Sequence, residues 1–454
     1  MITTIPKFQL KSFKVAIVAL LIGFYSCTNN DPEVIQNDSN AVQQKSEAIS
    51  ENKSLLVKEN IDKVNALISK FRRESSFKDL SAVPVKWTLT LSEIYYTYLG
   101  LAIKGSGGGG AFEDGLKIIS KLNGSVEICD ISIVDNNKLY IVAGGIGAPS
   151  AVNQRLDDLI ESIRISINKL SSLKGIPVGG ILSVESGPVN ASIAMLLSKR
   201  LGIPLINADG AGRSVPKLSN LTYAHENYSI APTVLTSVID HNNVIVLNPN
   251  DADNAEVLIR NAISSPGFGQ IGGLALWAQT GKELINSKII RNTYSDAYEL
   301  GIYVNAAMEN PSLIDNYFIN KNQLIFSFDG TLLSFEKNTD SGFDSITLKV
   351  GLDSGKVLTI KALNENLILY GPKNVLVTAP HLISYLIKTS ELEGGGYYLP
   401  YNNGDEAKMA SFVGNKIYVT TAYAERRLYS FDDTFLSILK DAFNYRGPVT
   451  PPIN

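Results

Sequence analysis

Residues 179–218 constrain the fold most, because two short apolar runs there enclose a segment with helical periodicity. Gly179–Val184 and Ile203–Asn207 have the length and composition of buried strands. Asn190–Leu201 carries apolar residues at helical spacing, and Gly202 and Pro204 provide the stop signals that end a helix. Two strands joined by a helix form a parallel βαβ unit with a right-handed crossover. The sequence therefore predicts a parallel sheet around these residues.

Polar residues follow each of these two strands. Glu185 and Asn190 come after the first strand, and Asp209 and Arg213 come after the second in the run DGAGR. Open α/β sheets bind their ligands outside the carboxyl ends of parallel strands. We therefore expect these four side chains to lie at one ligand-binding edge. The alternatives are that Asp209 only shapes a turn before Gly210 and that Arg213 only forms an ion pair.

Two glycine-rich loops are further candidates for binding a ligand at this edge. Lys104–Gly110 follows a segment, Thr88–Ile103, that is predicted to be a helix with its cap at Thr90 or Ser92. A dinucleotide fingerprint is rejected because it needs a strand before the glycines. Gly144–Ser150 follows Val126–Ile133 and Lys138–Ala143, which are predicted to pair as a hairpin. Three loops, at residues 144–150, 185–190 and 208–213, are thus expected to converge.

The predicted fold class is α/β, with a partly parallel sheet in an N-terminal α/β domain and a β-rich α+β domain after it. From Gln323 onward the segments are short, alternating in polarity and separated by turn residues. The polar run at residues 251–254 marks the expected boundary. The expected domains are residues 1–27 (signal), 28–75 (tether and a helix), 76–254 (α/β) and 255–454 (β-rich).

The N-terminus has the order of a secretory signal. Lysines precede the apolar run Val15–Tyr25, which is too short to span a bilayer and ends at Ser26-Cys27. A cysteine at that point resembles a bacterial lipoprotein signal, which implies lipidation of Cys27. We expect a lipid-anchored protein in the envelope of a Gram-negative bacterium, held to the membrane by its lipid alone. Plain secretion is the alternative.

Composition excludes some partners and cofactors. The net charge of −3 offers no basic field for nucleic acid. Cys129 is the only cysteine after Cys27, and its strand-like surroundings indicate a buried core thiol. The chain's three histidines show no zinc-ligand spacing, so no cofactor is assigned, and a divalent metal on carboxylates stays open. A small molecule is the expected partner, and the oligomeric state is left open.

Several motifs in sequence order resemble the S-methyl thiohydantoin desulfurase-like family. The match begins near Leu91 and extends to the C-terminus. It departs from the family pattern at Ala111-Phe112, Lys217 and His381, so the exact substrate stays open. The motifs are Gly105–Gly110, Gly147–Ser150, Gly180–Gly187 with Asn190, Asp209–Pro216, Asn364-Glu365 and Pro380–Ile383.

The resemblance implies hydrolysis of a small cyclic amide or thioamide of the hydantoin or thiohydantoin type. Such chemistry needs a base, an anion stabiliser and an acid for the leaving group. Glu185, Asp209 and Arg213 are the candidate catalytic residues: Glu185 or Asp209 as the base, and Arg213, with backbone N–H groups of the glycine loops, to hold a ligand carboxylate or the developing anion. A non-catalytic lipoprotein that binds small molecules, and a surface scaffold, are the alternatives. The candidate ligand-binding residues are Gly107, Gly108, Gly109, Gly110, Gly147, Asn190, Gly210, Gly212, Asn364 and Glu365.

Overall fold

The computed structural model describes residues 85–147, 152, 155–340, 342–389 and 396–452. The predicted signal, Cys27, the tether and residues 148–151 lie outside these ranges, so the predictions about them stay predictions. The chain divides into two units, and the fold below is that of the larger, Lys78–Lys388 with Tyr398–Asn454. Of the smaller unit, Met1–Phe77 with Thr389–Tyr397, only residues 389, 396 and 397 are described.

An eight-stranded mixed sheet forms the N-terminal part, in the order β1-β2-β5-β4-β3-β9-β7-β8. β2, β5, β4 and β3 run parallel, and the other pairs are antiparallel. The strands are β1 (Lys86–Leu89), β2 (Val126–Cys129), β3 (Leu139–Gly147), β4 (Val178–Ser183), β5 (Leu205–Ile206), β7 (Thr233–Ser237), β8 (Val244–Leu247) and β9 (Ile271–Thr280). A separate pair joins β6 (Ala208–Asp209) to β10 (Ile290–Arg291).

A second eight-stranded sheet forms the β-rich C-terminal part, in the order β15-β14-β13-β12-β11-β18-β16-β17. Burial alternates along β12, as expected of a sheet with one face on the core. The predicted α/β class, with a partly parallel first sheet and a β-rich second part, is confirmed. The strands are β11 (Leu324–Asp340), β12 (Phe343–Gly351), β13 (Val357–Leu363), β14 (Glu365–Tyr370), β15 (Val375–Thr378), β16 (Leu382–Thr389), β17 (Tyr397–Pro400) and β18 (Lys416–Ala422).

Helices pack against strands of both sheets, and local signals explain where they begin and end. α1 begins after Thr90, whose side chain accepts from the Glu93 N–H while Glu93 accepts from the Thr90 N–H. α4 ends at Gly202 in the left-handed conformation. The helices are α1 (Leu91–Lys104), α2 (Phe112–Ser120), α3 (Leu156–Lys174), α4 (Asn190–Leu201), α5 (Ala252–Ile263), α6 (Gly281–Asn286), α7 (Thr293–Ala307), α8 (Asp315–Asn320), α9 (Glu406–Ser411) and α10 (Asp433–Phe443).

The hairpin predicted for residues 126–133 and 138–143 is wrong. β2 pairs with β1 and β5, whereas β3 pairs with β4 and β9. Two strands therefore lie between β2 and β3 in the sheet. Both strands are apolar and mostly buried, and such runs choose partners by tertiary packing more than by proximity in sequence.

Two other predictions concern single positions. Cys129 is buried at the end of β2, and burial raises the pKa of its thiol, which confirms the predicted core thiol.

β9 lies after the boundary expected at residues 251–254, yet it pairs within the first sheet. The division into domains at that point stays a prediction. No helix in the described ranges is long and apolar enough to cross a membrane.

Candidate functional site

The site lies where neighbouring parallel strands end. β3, β4 and β5 are adjacent and parallel, so their carboxyl ends share one edge of the sheet. The last residues of β3 are Gly144–Gly147, and the segment Glu185–Asn190 follows β4. Asp209–Arg213 follows the short β5–β6 segment. The three exits predicted from the sequence thus meet at one edge.

A cleft of about 90 Å³ opens at this edge. Pockets for drug-sized ligands have volumes of ~300–1,000 Å³, so this cleft suits a much smaller molecule. Residues from both sheets contribute to its wall, since β14 belongs to the second sheet. The parts used below are Gly109-Gly110, Gly144–Gly147, Glu185, Asn190, Val215–Leu218 and Asn364-Glu365.

Glu185 is fixed in the cleft by hydrogen bonds from the first residue of α4 and from the loop after β6. Its Oε1 accepts from Asn190 Nδ2 at 3.0 Å, and its Oε2 accepts from the Val215 N–H at 2.8 Å. Asn190 Oδ1 in turn accepts from the Gly145 N–H at 2.8 Å. Burial raises the pKa of Glu185 to about 7, although these two donors act in the opposite direction. Near neutral pH, Glu185 is therefore shared between its charged and neutral forms.

Glu365 is the second buried carboxyl group of the cleft, and it begins β14. Its Oε1 accepts from the Gly109 N–H at 3.4 Å. Its Oε2 is buried and has no hydrogen-bond partner among the residues that the structure describes. Burial, followed by the charge of Glu185, raises the pKa of Glu365 well above its usual value, against the lowering effect of Arg213. Glu365 is therefore the protonated member of the pair, and its hydroxyl is available to a ligand.

The glycine run after α1 forms a tight loop held by the second half of the chain. Gly107 and Gly109 have φ of +81° and +71°. The Asn403 N–H donates to the Gly107 carbonyl at 2.7 Å, and Asn402 Nδ2 donates to the Gly108 carbonyl at 2.9 Å. Of the four predicted ligand glycines, only Gly109 and Gly110 line the cleft. Gly107 and Gly108 instead lie against Asn366 and Glu365, so they support the carboxyl group from behind.

Replacing Gly109 by Ala tests this loop, with Gly175→Ala as the matched control. Both glycines are left-handed, with φ of +71° and +65°, which costs an Ala residue ~1–2 kcal/mol. A Cβ at Gly109 would lie 2.2 Å from Ser214 Oγ, whereas nothing lies within 4 Å at Gly175. We expect Gly109→Ala to lose a further ~1–3 kcal/mol of unfolding free energy through overpacking. Urea unfolding measures both variants. Equal losses of unfolding free energy in Gly109→Ala and Gly175→Ala would contradict the expected overlap with Ser214.

Asp209 lies outside the cleft wall. It is buried and accepts from Ser186 Oγ and from the Ala211 and Gly212 N–H groups, the last two at 2.9 and 2.6 Å. Burial raises its pKa to about 6. These bonds shape the turn that carries Gly210 and Gly212, which also do not line the cleft. The geometry thus supports the turn-forming alternative for Asp209, and its catalytic role stays a prediction.

Arg213, like Asp209, does not line the cleft. Its guanidinium donates to the carbonyl oxygens of Ser214 (2.8 Å), Pro380 (2.6 Å) and His381 (2.5 Å), with a longer bond to Asn366. Burial lowers its pKa to about 10, which still leaves it charged at neutral pH. Its charge favours the ionised forms of Glu365 and Glu185. Arg213 therefore lowers the pKa of the two glutamates and joins two segments that are distant in the sequence. The geometry does not support the direct contact with a ligand that the sequence predicts for it.

Some parts of the site carried no recognisable signal in the sequence. Val215 and Gly145 act through backbone N–H groups, which any residue except proline would provide. Lys217, Glu256 and Arg260 also line the cleft, but their positions depend on the packing of α5 against the loop after β6. Within the described ranges, no three His, Cys, Asp or Glu side chains cluster so that they could hold a metal ion. No ligand set is therefore assigned to the metal that the sequence left open.

Comparisons with known proteins match the sequence to one family. The family model described as the S-Me-THD-like N-terminal domain matches residues 92–248, and its C-terminal counterpart matches residues 250–397. A crystal structure of a Chromobacterium violaceum protein is similar, with a TM-score of 0.66 and 24% identity. The similarity covers 81% of this chain and 100% of that chain, and at this identity it supports the fold alone. No curated protein matches the chain.

Proposed function

The chain belongs to the S-Me-THD-like family, and from this premise we propose that it hydrolyses a small hydantoin- or thiohydantoin-type ring in the cleft. One observation carries the proposal: two buried carboxyl groups, Glu185 and Glu365, line the same small cleft, where burial raises the pKa of both and the charge of Glu185 raises that of Glu365 further. Paired carboxyl groups whose environments separate their pKa values are typical of acid–base catalysis.

The proposed reaction replaces a ring carbon–sulfur bond by a carbon–oxygen bond. Glu185 in its ionised form takes a proton from water as the water oxygen attacks the ring carbon that bears the S-methyl group. Glu365 gives its proton to the sulfur as the carbon–sulfur bond breaks and methanethiol leaves. The proton left on the new hydroxyl moves to the ring nitrogen, which gives a hydantoin, and a proton passes from Glu185 back to Glu365 through solvent. No step requires an oxidant or reductant.

The surrounding residues support these roles. Asn190 and Val215 hold the Glu185 carboxylate in one orientation, which reduces the reorganisation needed during the reaction. Gly109 and Gly110 contribute to the cleft wall, and their missing side chains let Ser214 and Val189 pack closely against the loop. The buried positive charge of Arg213 offsets part of the repulsion between the two carboxyl groups.

The pH dependence of kcat/KM is expected to be bell-shaped. Because the base must be ionised, activity should rise with pH through about 7, the raised pKa of Glu185. Because the acid must be protonated, activity should fall again as pH passes the raised pKa of Glu365. Measuring initial rates between pH 5 and 10, at constant ionic strength, checks both limbs. Activity that stays constant below pH 7 would contradict the role of Glu185.

The function itself is tested with purified full-length protein and three rings: an S-methyl thiohydantoin, a thiohydantoin and a hydantoin. Released thiol is measured with a thiol reagent, and ring products are separated by chromatography. We expect methanethiol and hydantoin in equal amounts from the first compound. Ring opening of the hydantoin without sulfur release would replace desulfuration by amide hydrolysis at the same site.

A non-catalytic binding protein is the second candidate, and one observation favours it. Both oxygens of Glu185 already accept hydrogen bonds from the protein, which leaves fewer lone pairs for a water molecule. A binder anchored to the envelope through Cys27 would use the same cleft without turnover. Rings that raise the melting temperature but yield no product would support this candidate over the enzyme.

A further inference from the structure

The last described residues of the chain, 446–452, form neither a helix nor a strand, yet they are attached to the second sheet. We call them the C-terminal segment. The Thr378 N–H at the end of β15 donates to the Thr450 carbonyl at 2.7 Å, and the Thr450 N–H donates to Thr378 Oγ1 at 2.9 Å. Val449 is buried. The C-terminal segment therefore lies against the residues that lead from β15 into β16.

His381, in the connection from β15 to β16, contacts the same segment through its ring. The buried ring places Nε2 2.9 Å from the Pro451 carbonyl oxygen and Nδ1 3.0 Å from the Tyr429 hydroxyl. Because a carbonyl oxygen can only accept, Nε2 carries the proton and Nδ1 accepts from Tyr429. The Ala424 N–H donates to the Tyr429 oxygen at 3.1 Å, which directs the hydroxyl proton toward the ring. These contacts hold one tautomer of His381 in one orientation.

The backbone of the same connection holds Arg213. The carbonyl oxygens of Pro380 and His381 accept from Arg213 Nη1 at 2.6 and 2.5 Å. The Arg213 charge is the largest of the effects that lower the pKa of Glu365, and it also lowers that of Glu185. Such an effect weakens as the charges move apart. His381 therefore joins the C-terminal segment, through its ring, to the charge that acts on the cleft, through its carbonyl.

Other titratable groups face these residues from the surrounding elements. Asp209 acts on Glu185, which in turn acts on Glu365. A substitution of His381 leaves all of these groups in the chain, and burial lowers the pKa of His381 to about 4, so its ring is neutral above about pH 5. A changed titration of either glutamate then reports a changed position of Arg213. The surrounding groups are Asp209, Lys217, Glu256, Arg260, Tyr423 and Tyr429.

We infer that His381 is a positioning residue: with its ring fixed by the C-terminal segment, its carbonyl holds the Arg213 guanidinium at a set distance from the two cleft glutamates. The C-terminal segment, whose residues do not line the cleft, thereby acts on the reaction through His381 and Arg213. The link to catalysis rests on the proposed function, but the effect of His381 on the two glutamates does not.

The test follows the two carboxyl groups by NMR in full-length protein with isotope-labelled glutamate. The resonances are assigned by their absence from Glu185→Gln and Glu365→Gln. His381→Phe keeps a planar ring but loses both ring hydrogen bonds. We expect the titration midpoints of both glutamates to move to higher pH in this variant, because a displaced Arg213 lowers their pKa values less.

Two further variants separate this effect from a general loss of structure. Thr378→Val is close in shape to the wild type and removes one of the two bonds to Thr450, so it should shift the midpoints in the same direction by a smaller amount. His241 is half-buried and its Nε2 bonds the Asp158 carbonyl at 3.2 Å, far from Arg213 in the sequence. His241→Phe should keep the wild-type midpoints.

The kinetic readout is the pH profile of kcat/KM. Both limbs should move to higher pH with the NMR midpoints, with a change of about tenfold in relative rate for each pH unit of displacement. Shifted midpoints without turnover of any ring would support the inference and contradict the proposed function. Turnover with unshifted midpoints and limbs in folded His381→Phe and Thr378→Val would overturn the inference and leave the proposed function intact. If His381→Phe does not fold, Thr378→Val decides by the same criterion.

Discussion

Glu185→Gln is expected to lower kcat/KM for ring hydrolysis by about 10²–10⁴-fold, the usual contribution of a positioned general base. Gln has nearly the same shape as Glu, and its carbonyl oxygen can still accept from either Asn190 or Val215. It cannot take a proton from water at any pH of the assay. The loss should therefore lie mainly in kcat. Rates are normalised to the folded fraction, so that a difference in stability between the variant and the wild type does not affect the comparison.

Asp209→Asn is the matched control for that experiment. Both carboxyl groups are buried at the same sheet edge and both have raised pKa values, yet only Glu185 lines the cleft. Asn at position 209 can still accept from the Ala211 and Gly212 N–H groups, so the turn is preserved. We expect its activity to fall less than tenfold. A larger loss in Asp209→Asn than in Glu185→Gln would make Asp209 the base instead.

The stability of Glu185→Gln provides an independent check through pH. Burial raises the pKa of Glu185 from 4.5 to about 7, so the folded protein keeps a proton that the unfolded chain releases between these values. Wild-type stability should therefore fall as pH rises from about 5 to 7, because the folded state binds more protons there. The Gln variant lacks the contribution of Glu185 to this slope and keeps those of Asp209 and Glu365, so its stability should fall less steeply over the same range. If the stabilities of the two proteins changed equally with pH across this range, the raised pKa of Glu185 would be contradicted.

The parallel core of the first sheet was predictable from the sequence because its signals are local. The run from Gly179 to Asn207 contains two apolar strands, a helix and a glycine stop, and each depends on neighbouring residues only. Glu185 and Asn190 could be placed at the site for the same reason, since strand ends of a parallel unit share one edge. The capped start of α1 at Thr90 is another local signal.

The remaining features depend on residues far apart in the chain. The partner of β2 is decided by β1 and β5, so its pairing could not be predicted from the turn at residues 134–137. Asp209 and Arg213 belong to the motif that contributes most to the family resemblance. Their hydrogen-bond partners nevertheless hold both side chains outside the cleft wall. Glu365 is a candidate ligand-binding residue only through the family resemblance, and its place in the cleft depends on the Gly109 loop that lies against it. Long-range contacts of this kind leave no periodic trace in a sequence.

Arg213→Met is expected to lower the free energy of unfolding by about 3–5 kcal/mol, the cost of removing one partner from a buried charge cluster. The change leaves Glu185 and Glu365 without their nearby positive charge. It also leaves the carbonyl oxygens of Pro380 and His381 without their donor. Because Arg213 joins the turn after β6 to the segment before β16, this loss should weaken the contact between the two halves of the site. Urea unfolding measures the change.

Arg164→Met is the control for Arg213→Met, because Arg164 pairs with Glu161 while both side chains are about one-third exposed. Exposed pairs contribute ~0–1 kcal/mol, so this variant should be nearly as stable as the wild type. Arg213→Lys separates structure from ligand binding. Lys keeps the charge but cannot reach the same carbonyl groups with a single ammonium, so we expect an intermediate loss of stability. A Lys variant with wild-type stability but weakened ring binding would instead restore the direct ligand contact that the sequence predicts for Arg213.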